Sequence, residues 1–215
     1  MVAWNSNDTW LKGLVYNAVS FLVPGTSAAA QFDVHGALLV SELRGKYAAL
    51  ARKGAVFGAT AAAVTLPVNA GTLASKFGLY NPAGSNTILE VIDIDAHAVV
   101  ATTVVDAMGV YYSNGTNASG ATFTTLGTWQ NMYVGGPTGV GQFYSAVTHV
   151  GTPALLDLVG GWGAVTDGGS TQVRKTYDGS LLIPPGTLIA LAMTTAASTG
   201  SGITLGMRWA EVPLS

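Results

Sequence analysis

Two shortages frame this chain. It contains no cysteine, which excludes a disulfide framework, thiolate metal sites and a cysteine nucleophile. It is also poor in charge: only 9% of its 215 residues are Asp, Glu, Lys or Arg, whereas a soluble domain carries about 25%. The nine Lys and Arg residues are scattered and the formal net charge is -2. The basic stripe of a nucleic-acid binder and the polybasic patch of a membrane-surface protein are therefore both missing. Glutamate occurs only at Glu42, Glu90 and Glu211, which leaves few sources for the paired carboxylates of a glycan-cleaving cleft. What is abundant is apolar: 49% hydrophobic residues, with 28 glycines between them. A surface with so few ions to cover it must be apolar, or built of Thr, Ser, Asn and Gly, and it suits contact with other subunits. Composition thus predicts a non-enzymatic assembly component without cofactors.

The first 54 residues read as helical. A mostly apolar run over 11–23, followed by Ala28, Ala29 and Ala30, looks faintly like a signal peptide. Asp8 and a lone Lys12 make a poor positive leader, and Lys12, Asn17 and Ser20 interrupt a run already too short to span a bilayer. A packed helix is expected instead, capped by Asn7 or Asp8, with Trp10, Leu11, Leu14, Val15, Ala18 and Leu22 at helical spacing. Pro24 and Gly25 end it. A second helix is expected over 38–53, with Leu43, Tyr47, Leu50 and Ala51 on one face and Glu42 paired with Lys46. Arg52 and Lys53 oppose the helix dipole in its last turn, and Gly54 stops it.

Past Gly54 the pattern changes to period two or to continuous apolar runs. Strands are expected over 55–67, 76–81, 88–100, 108–113, 123–129, 142–150, 172–177, 187–195 and 203–212, separated by Gly, Pro, Asn and Asp turns. Short strands with no interleaved helices predict a mainly β, antiparallel sandwich or barrel over 55–215, carrying a helical or extended arm over 1–54. The segment from Leu188 to Met193 is apolar on both faces, as in a strand between two layers. Ile203, Leu205, Met207 and Trp209 alternate with Thr204, Gly206, Arg208 and Ala210, as in a strand with one wet face.

Chemistry-bearing constellations are sparse. Asp93, Asp95 and His97 share one face of a strand, opposite Ile92, Ile94, Ala96 and Ala98, with neighbours roughly 7 Å apart. A divalent cation such as calcium is one reading of them; a hydrated strand face or a subunit contact is another. His35 and His149 lack the spacing of a catalytic triad. The run Gly135-Gly136-Pro137-Thr138-Gly139 lacks the lysine of a phosphate-binding loop and reads as a turn. The sequons at Asn114 and Asn117 mark a polar loop. Tyr111, Tyr112, Trp129, Tyr133, Phe143, Tyr144 and Trp162 could stack on sugars or anchor interfaces. With Tyr111 and Tyr112 adjacent in a strand, one ring points in and one out.

Three stretches carry a resemblance. They are 42–57 (ELRGKYAALARKGAVF) with 61–65 after it, 78–85 (GLYNPAGS) leading into the strand from Ile88, and 182–191 (LIPPGTLIAL) followed by Thr194, Thr195, Ala196 and Ala197. Together they resemble virion proteins of tailed bacteriophages that join an N-terminal arm to a jelly-roll domain, a style shared by capsid decoration (cement) proteins and fibre-type proteins. The resemblance covers roughly residues 40–212 and rests on turns and small-residue strands. It implies a structural protein at the capsid surface of the virion, assembled in the host cytoplasm, that binds across subunits of the major capsid protein and stabilises the head. Its partners would be that protein, other virion proteins and itself, with a trimer favoured and no nucleic acid or membrane involved. Trp10, Leu14, Tyr47, Phe57, Tyr112, Trp129, Tyr133 and Trp162 are the expected interface anchors. The alternative is a receptor- or glycan-binding module of a head or tail fibre, with exposed aromatics beside a polar groove.

Overall fold

The computed structural model describes residues 47–68, 73–98, 106–162, 171–195 and 202–214. The chain divides into two compact units, Met1–Ala48 and Ala49–Ser215. Apart from Tyr47 and Ala48, every described residue belongs to the second, so the expected helix around Trp10 and Leu14 lies outside the described residues. Of the second expected helix, α1 (Ala48–Arg52) is seen. Its end follows from local chemistry. Gly54 adopts φ +68°, and Ala55 N–H donates to Leu50 O and Gly54 N–H to Ala51 O, each at 3.0 Å. These are the two bonds of a Schellman stop, which favours glycine at that position.

Among the described residues twelve strands follow: β1 (Val56–Val64), β2 (Ala74–Ser75), β3 (Gly78–Asn81), β4 (Thr87–Ala98), β5 (Asp106–Asn114), β6 (Thr122–Leu126), β7 (Trp129–Asn131), β8 (Gln142–Thr148), β9 (Ala154–Trp162), β10 (Thr171–Ile183), β11 (Thr187–Met193) and β12 (Ile203–Pro213), with α2 (Gly115–Ser119) after β5. The order in one sheet is β10-β4-β12-β1-β7 and in the other β2-β8-β3-β11-β5-β9, with β6 also on β8; the strands pair antiparallel. Nested within these sheets are the pairs β1–β12, β3–β11, β4–β10 and β5–β9. The first half of the domain thus pairs with the second half in reverse order, and successive pairs lie in opposite sheets. This is a jelly roll. Its eight strands form a frame. Residues 115–153, between β5 and β9, are an insertion that adds β7 to the edge strand β1 of one sheet and β8 with β6 beyond β3 in the other.

The core fills the space between the sheets. Phe57, Leu89, Ile94, Leu205 and Trp209 from one side meet Leu79, Met108, Ile189, Leu191 and Phe143 from the other. Burying each such side chain contributes about 1.5–3 kcal/mol. Phe57 stacks on Trp209 with ring centroids 6.0 Å apart, and Phe77 lies 4.6 Å from Phe143. Every residue of β11 is buried: on that sheet's outer side α2 and an aromatic row of Tyr80, Phe123 and Tyr144 pack with Leu188 and Val147, and Leu73 and Tyr111 pack with Ala190 and Ala192. The reading of β11 as covered on two faces holds. β12 turns Ile203, Leu205, Met207 and Trp209 inward as expected, but its other face is not wet throughout, since Thr204 and Arg208 are half-buried while Gly206 and Ala210 are buried.

Three expectations are corrected. The stretch 123–129 is not one strand, because Gly127 and Thr128 carry the chain from β6 in one sheet to β7 in the other. The Asp178-Gly179 turn is present, with φ +51° and +82°, but it does not reverse the chain. Thr176 pairs with Asp93 and Leu181 with Val91, so 177–180 bulge out and β10 resumes. β9 was not expected at all; two register shifts interrupt its ladder with β5 and erase any alternation.

Candidate interaction surface

On the outer face of the β10-β4-β12 sheet, one strand bulge decides the polar chemistry. Arg208 pairs with Asp93 and Trp209 with Val91, leaving Ile92 as the extra residue. The inward role passes there from Leu89 and Val91 to Ile94, Ala96 and Ala98, while Asp93, Asp95 and His97 face outward as expected. Ile92 itself is half-buried rather than part of the inward row. Asp93 is nonetheless buried, because two guanidinium groups close over it. Arg174 Nη2 donates to Asp93 Oδ2 at 2.6 Å, Arg208 Nε donates to Oδ1 at 2.8 Å, and Arg208 Nη2 also bonds Oδ2. Asp95 pairs instead with His97, Oδ2 to Nε2 at 3.3 Å. Gly206 stands opposite Asp95 in the ladder, and a side chain there would collide with the Asp95 carboxylate. The expected metal candidates are therefore divided, Asp93 being taken by two arginines while Asp95 contacts His97. Among the described residues no group of three or more His, Asp or Glu side chains is arranged to hold a metal ion.

A serine–histidine contact escaped the sequence reading. Ser113 Oγ and His149 Nδ1 lie 2.7 Å apart, both residues buried, and His149 Nε2 has no hydrogen-bond partner. Burial drives the imidazole pKa down to about 4, so the ring is neutral at pH 7. The pair lacks an exposed face on which a substrate could lie. It joins the insertion to the frame, since His149 N–H also donates to Leu73 O at 2.9 Å.

The surface that stands out is the insertion loop over 132–141. Val134 is 94% exposed, Tyr133 54% and Met132 50%, with Val140 and Leu126 exposed as well. Such a projection is expected to be pliable, yet polar clasps hold both of its limbs. On one limb, Asn131 Nδ2 donates to Gly54 O at 2.7 Å and to Pro137 O at 2.8 Å, while Asn131 Oδ1 accepts from Tyr133 N–H at 2.8 Å. On the other, the Glu211 carboxylate accepts from the N–H groups of Val140 and Gly141, each at 2.9 Å, and from Trp209 Nε1 at 3.3 Å. Between the limbs, Gly136 N–H donates to Tyr133 O at 2.7 Å. From 107 to 148 the chain has no Asp, Glu, Lys, Arg or His.

Trp129, half-buried on β7, lines two grooves of about 340 and 490 Å³. A separate apolar patch, Leu155, Leu156 and Leu158, is exposed on the edge strand β9. There Lys175 Nζ bonds both Asp157 and the Leu158 carbonyl at 2.8 Å, which covers part of the edge and holds the Asp157 carboxyl below its usual range.

The expected anchors are thus dispersed. Trp129 and Tyr133 come together at the insertion. Phe57 is buried in the core and not available as an anchor, because its strand turns it toward Trp209. Tyr112 is half-buried against the same core. Tyr111, the ring expected on the opposite face, is covered as well, by Leu73, Ala190 and Ala192. Trp162 ends β9 opposite Asp106, and Tyr47 is half-buried. Trp10 and Leu14 lie outside the described residues. The sequence signal for the tip was its charge-free composition, which turn chemistry masked. No family model matches the chain, and no curated protein and no solved structure gives a match.

Proposed function

We propose that the chain is a non-enzymatic structural component of a virion, a capsid decoration protein that grips neighbouring major capsid subunits and its own copies, with a trimer favoured. The observation that carries this reading is the 132–141 loop. It exposes Met132, Tyr133 and Val134 while Asn131 and Glu211 hold its limbs. An apolar projection already held in place loses little freedom on docking. Repetition around a symmetric shell multiplies even a modest contact into firm attachment. The low charge of the chain fits the same role, since few ionic groups must be desolvated when subunits meet.

Sedimentation of the full chain, alone and with phage heads, tests the reading. The expected results are an oligomer in solution and co-sedimentation with heads, reduced at least about tenfold by Val134→Asp, since a carboxylate cannot be buried there without loss. A well-behaved monomer without affinity for heads overturns it. Electron microscopy of intact particles should show repeated copies on the shell.

A further inference from the structure

The insertion carries a second kind of surface beside its apolar tip. Trp129 and Thr138 line both grooves, so together they form the ridge between them. Asn131, Val134 and Pro137 wall the smaller groove; the Pro82–Ser85 turn, Val140 and Gln142 wall the larger. Three properties of this ridge narrow the chemistry of what it can hold.

The first is charge. No residue lining either groove is ionisable. The nearest carboxylate named in this region, Glu211, is occupied by the amides of Val140 and Gly141. A phosphate, carboxylate or ammonium ligand would give up its hydration there and find no counter-charge. The second is the mixture of surfaces. An indole ridge flanked by the Gln130 amide and the Thr138 hydroxyl, with the Gln142 amide nitrogen beyond them (its oxygen accepts from Tyr144, and the Ser85 hydroxyl donates to Asn81), matches a pyranose, which has an apolar C–H face and a rim of hydroxyls. The third is preorganisation. Asn131 fixes the start of the loop and Glu211 its end, so the groove walls need little ordering when a ligand arrives.

We infer that the Trp129–Thr138 ridge binds a neutral oligosaccharide, one sugar ring lying on the indole and its neighbours extending into the two grooves. This goes beyond attachment to a shell and does not depend on it. A negative sugar titration leaves the sedimentation result standing, and a monomer in sedimentation leaves the sugar result standing.

The test is calorimetric titration of the full chain with neutral trisaccharides (maltotriose, mannotriose and triacetylchitotriose), with acidic ones (sialyllactose and trigalacturonate), and co-flotation with phosphatidylcholine vesicles. At least one neutral sugar should bind. Trp129→Ala should weaken it about tenfold or more, and Trp129→Phe should do so less. Because Trp129 also touches the core, its alanine variant could unfold. The exposed Thr138→Glu keeps the test decisive, since it should weaken binding about tenfold with an unchanged melting temperature. The inference is overturned by any of four results: no neutral sugar binds, acidic sugars bind more tightly, binding survives Thr138→Glu, or vesicles capture the chain while sugars do not.

Discussion

The eight-strand frame and the 115–153 insertion solve different problems with the same amino acids. The frame places most of its large residues inside, with Leu155, Leu156 and Leu158 on β9 as exceptions, and sets its charged groups on the outer sheet faces, where two guanidinium groups cover Asp93. The insertion has no charge from its start to Thr148. It turns part of its apolar content outward at Met132, Tyr133 and Val134. It is nevertheless not loose. Phe143 reaches into the main core beside Phe77, and Phe123 and Tyr144 stack with Tyr80 outside it. The lesson is that a segment can be anchored by its aromatics and still present a bare surface, provided polar clasps fix the part that projects.

The comparison can be broken most severely from the frame. Trp209 is fully buried and touches Phe57, so Trp209→Ala should cost about 3–5 kcal/mol in a urea titration and lower frame and insertion together. A loss confined to the insertion would contradict the shared core.

The joint between the two regions comes next. His149 is neutral and buried with a pKa of about 4, below the ordinary value of about 6.5. The unfolded chain therefore binds more protons between those values, and stability is complete above about pH 6.5 and declines as pH falls toward 4. The loss attributable to this residue should approach about 3 kcal/mol. Melting curves of His149→Gln against the native chain across that range isolate it; parallel curves would show that the imidazole does not titrate as its burial demands.

On the outer face, Asp93→Ala should cost about 2 kcal/mol, as Arg174 and Arg208 lose a buried acceptor and repel each other. Reversal of that loss by adding Arg208→Leu, measured by denaturant midpoint, would sharpen the assignment. The smallest global effect belongs to the clasp. Glu211→Gln should shift overall stability by less than about 1 kcal/mol, while amide hydrogen exchange at Val140 and Gly141 accelerates. Unchanged protection at those amides would remove the clasp from the description of the tip.

The frame was largely legible. Period-two alternation in Ile203 to Trp209 and the doubly apolar β11 are direct consequences of one-sided and two-sided burial, and Gly54 marked the end of α1. What stayed hidden depends on neighbours distant in sequence. β9 has two irregularities against β5, so its apolar residues do not alternate. Phe57 looks like any exposed strand aromatic until Trp209 stands opposite it. Asp93, Asp95 and His97 share a face as read, but only the pairing of β4 with β10 and β12 brings two arginines onto one of them. The interaction surface was half-legible: Trp129 and Tyr133 were singled out by type, whereas the clasping roles of Asn131 and Glu211 arise from contacts across the chain.

The pairing of β1 with β12 sets a timetable for this domain. Phe57 meets Trp209 and Val56 meets Ala210, so a ribosome must release the domain through β12 before that sheet can close. Early strands wait, exposed, for partners synthesised much later. Such long-range closure makes folding slow. A cell producing the protein quickly should accumulate aggregates, and slower synthesis at lower temperature should recover soluble material.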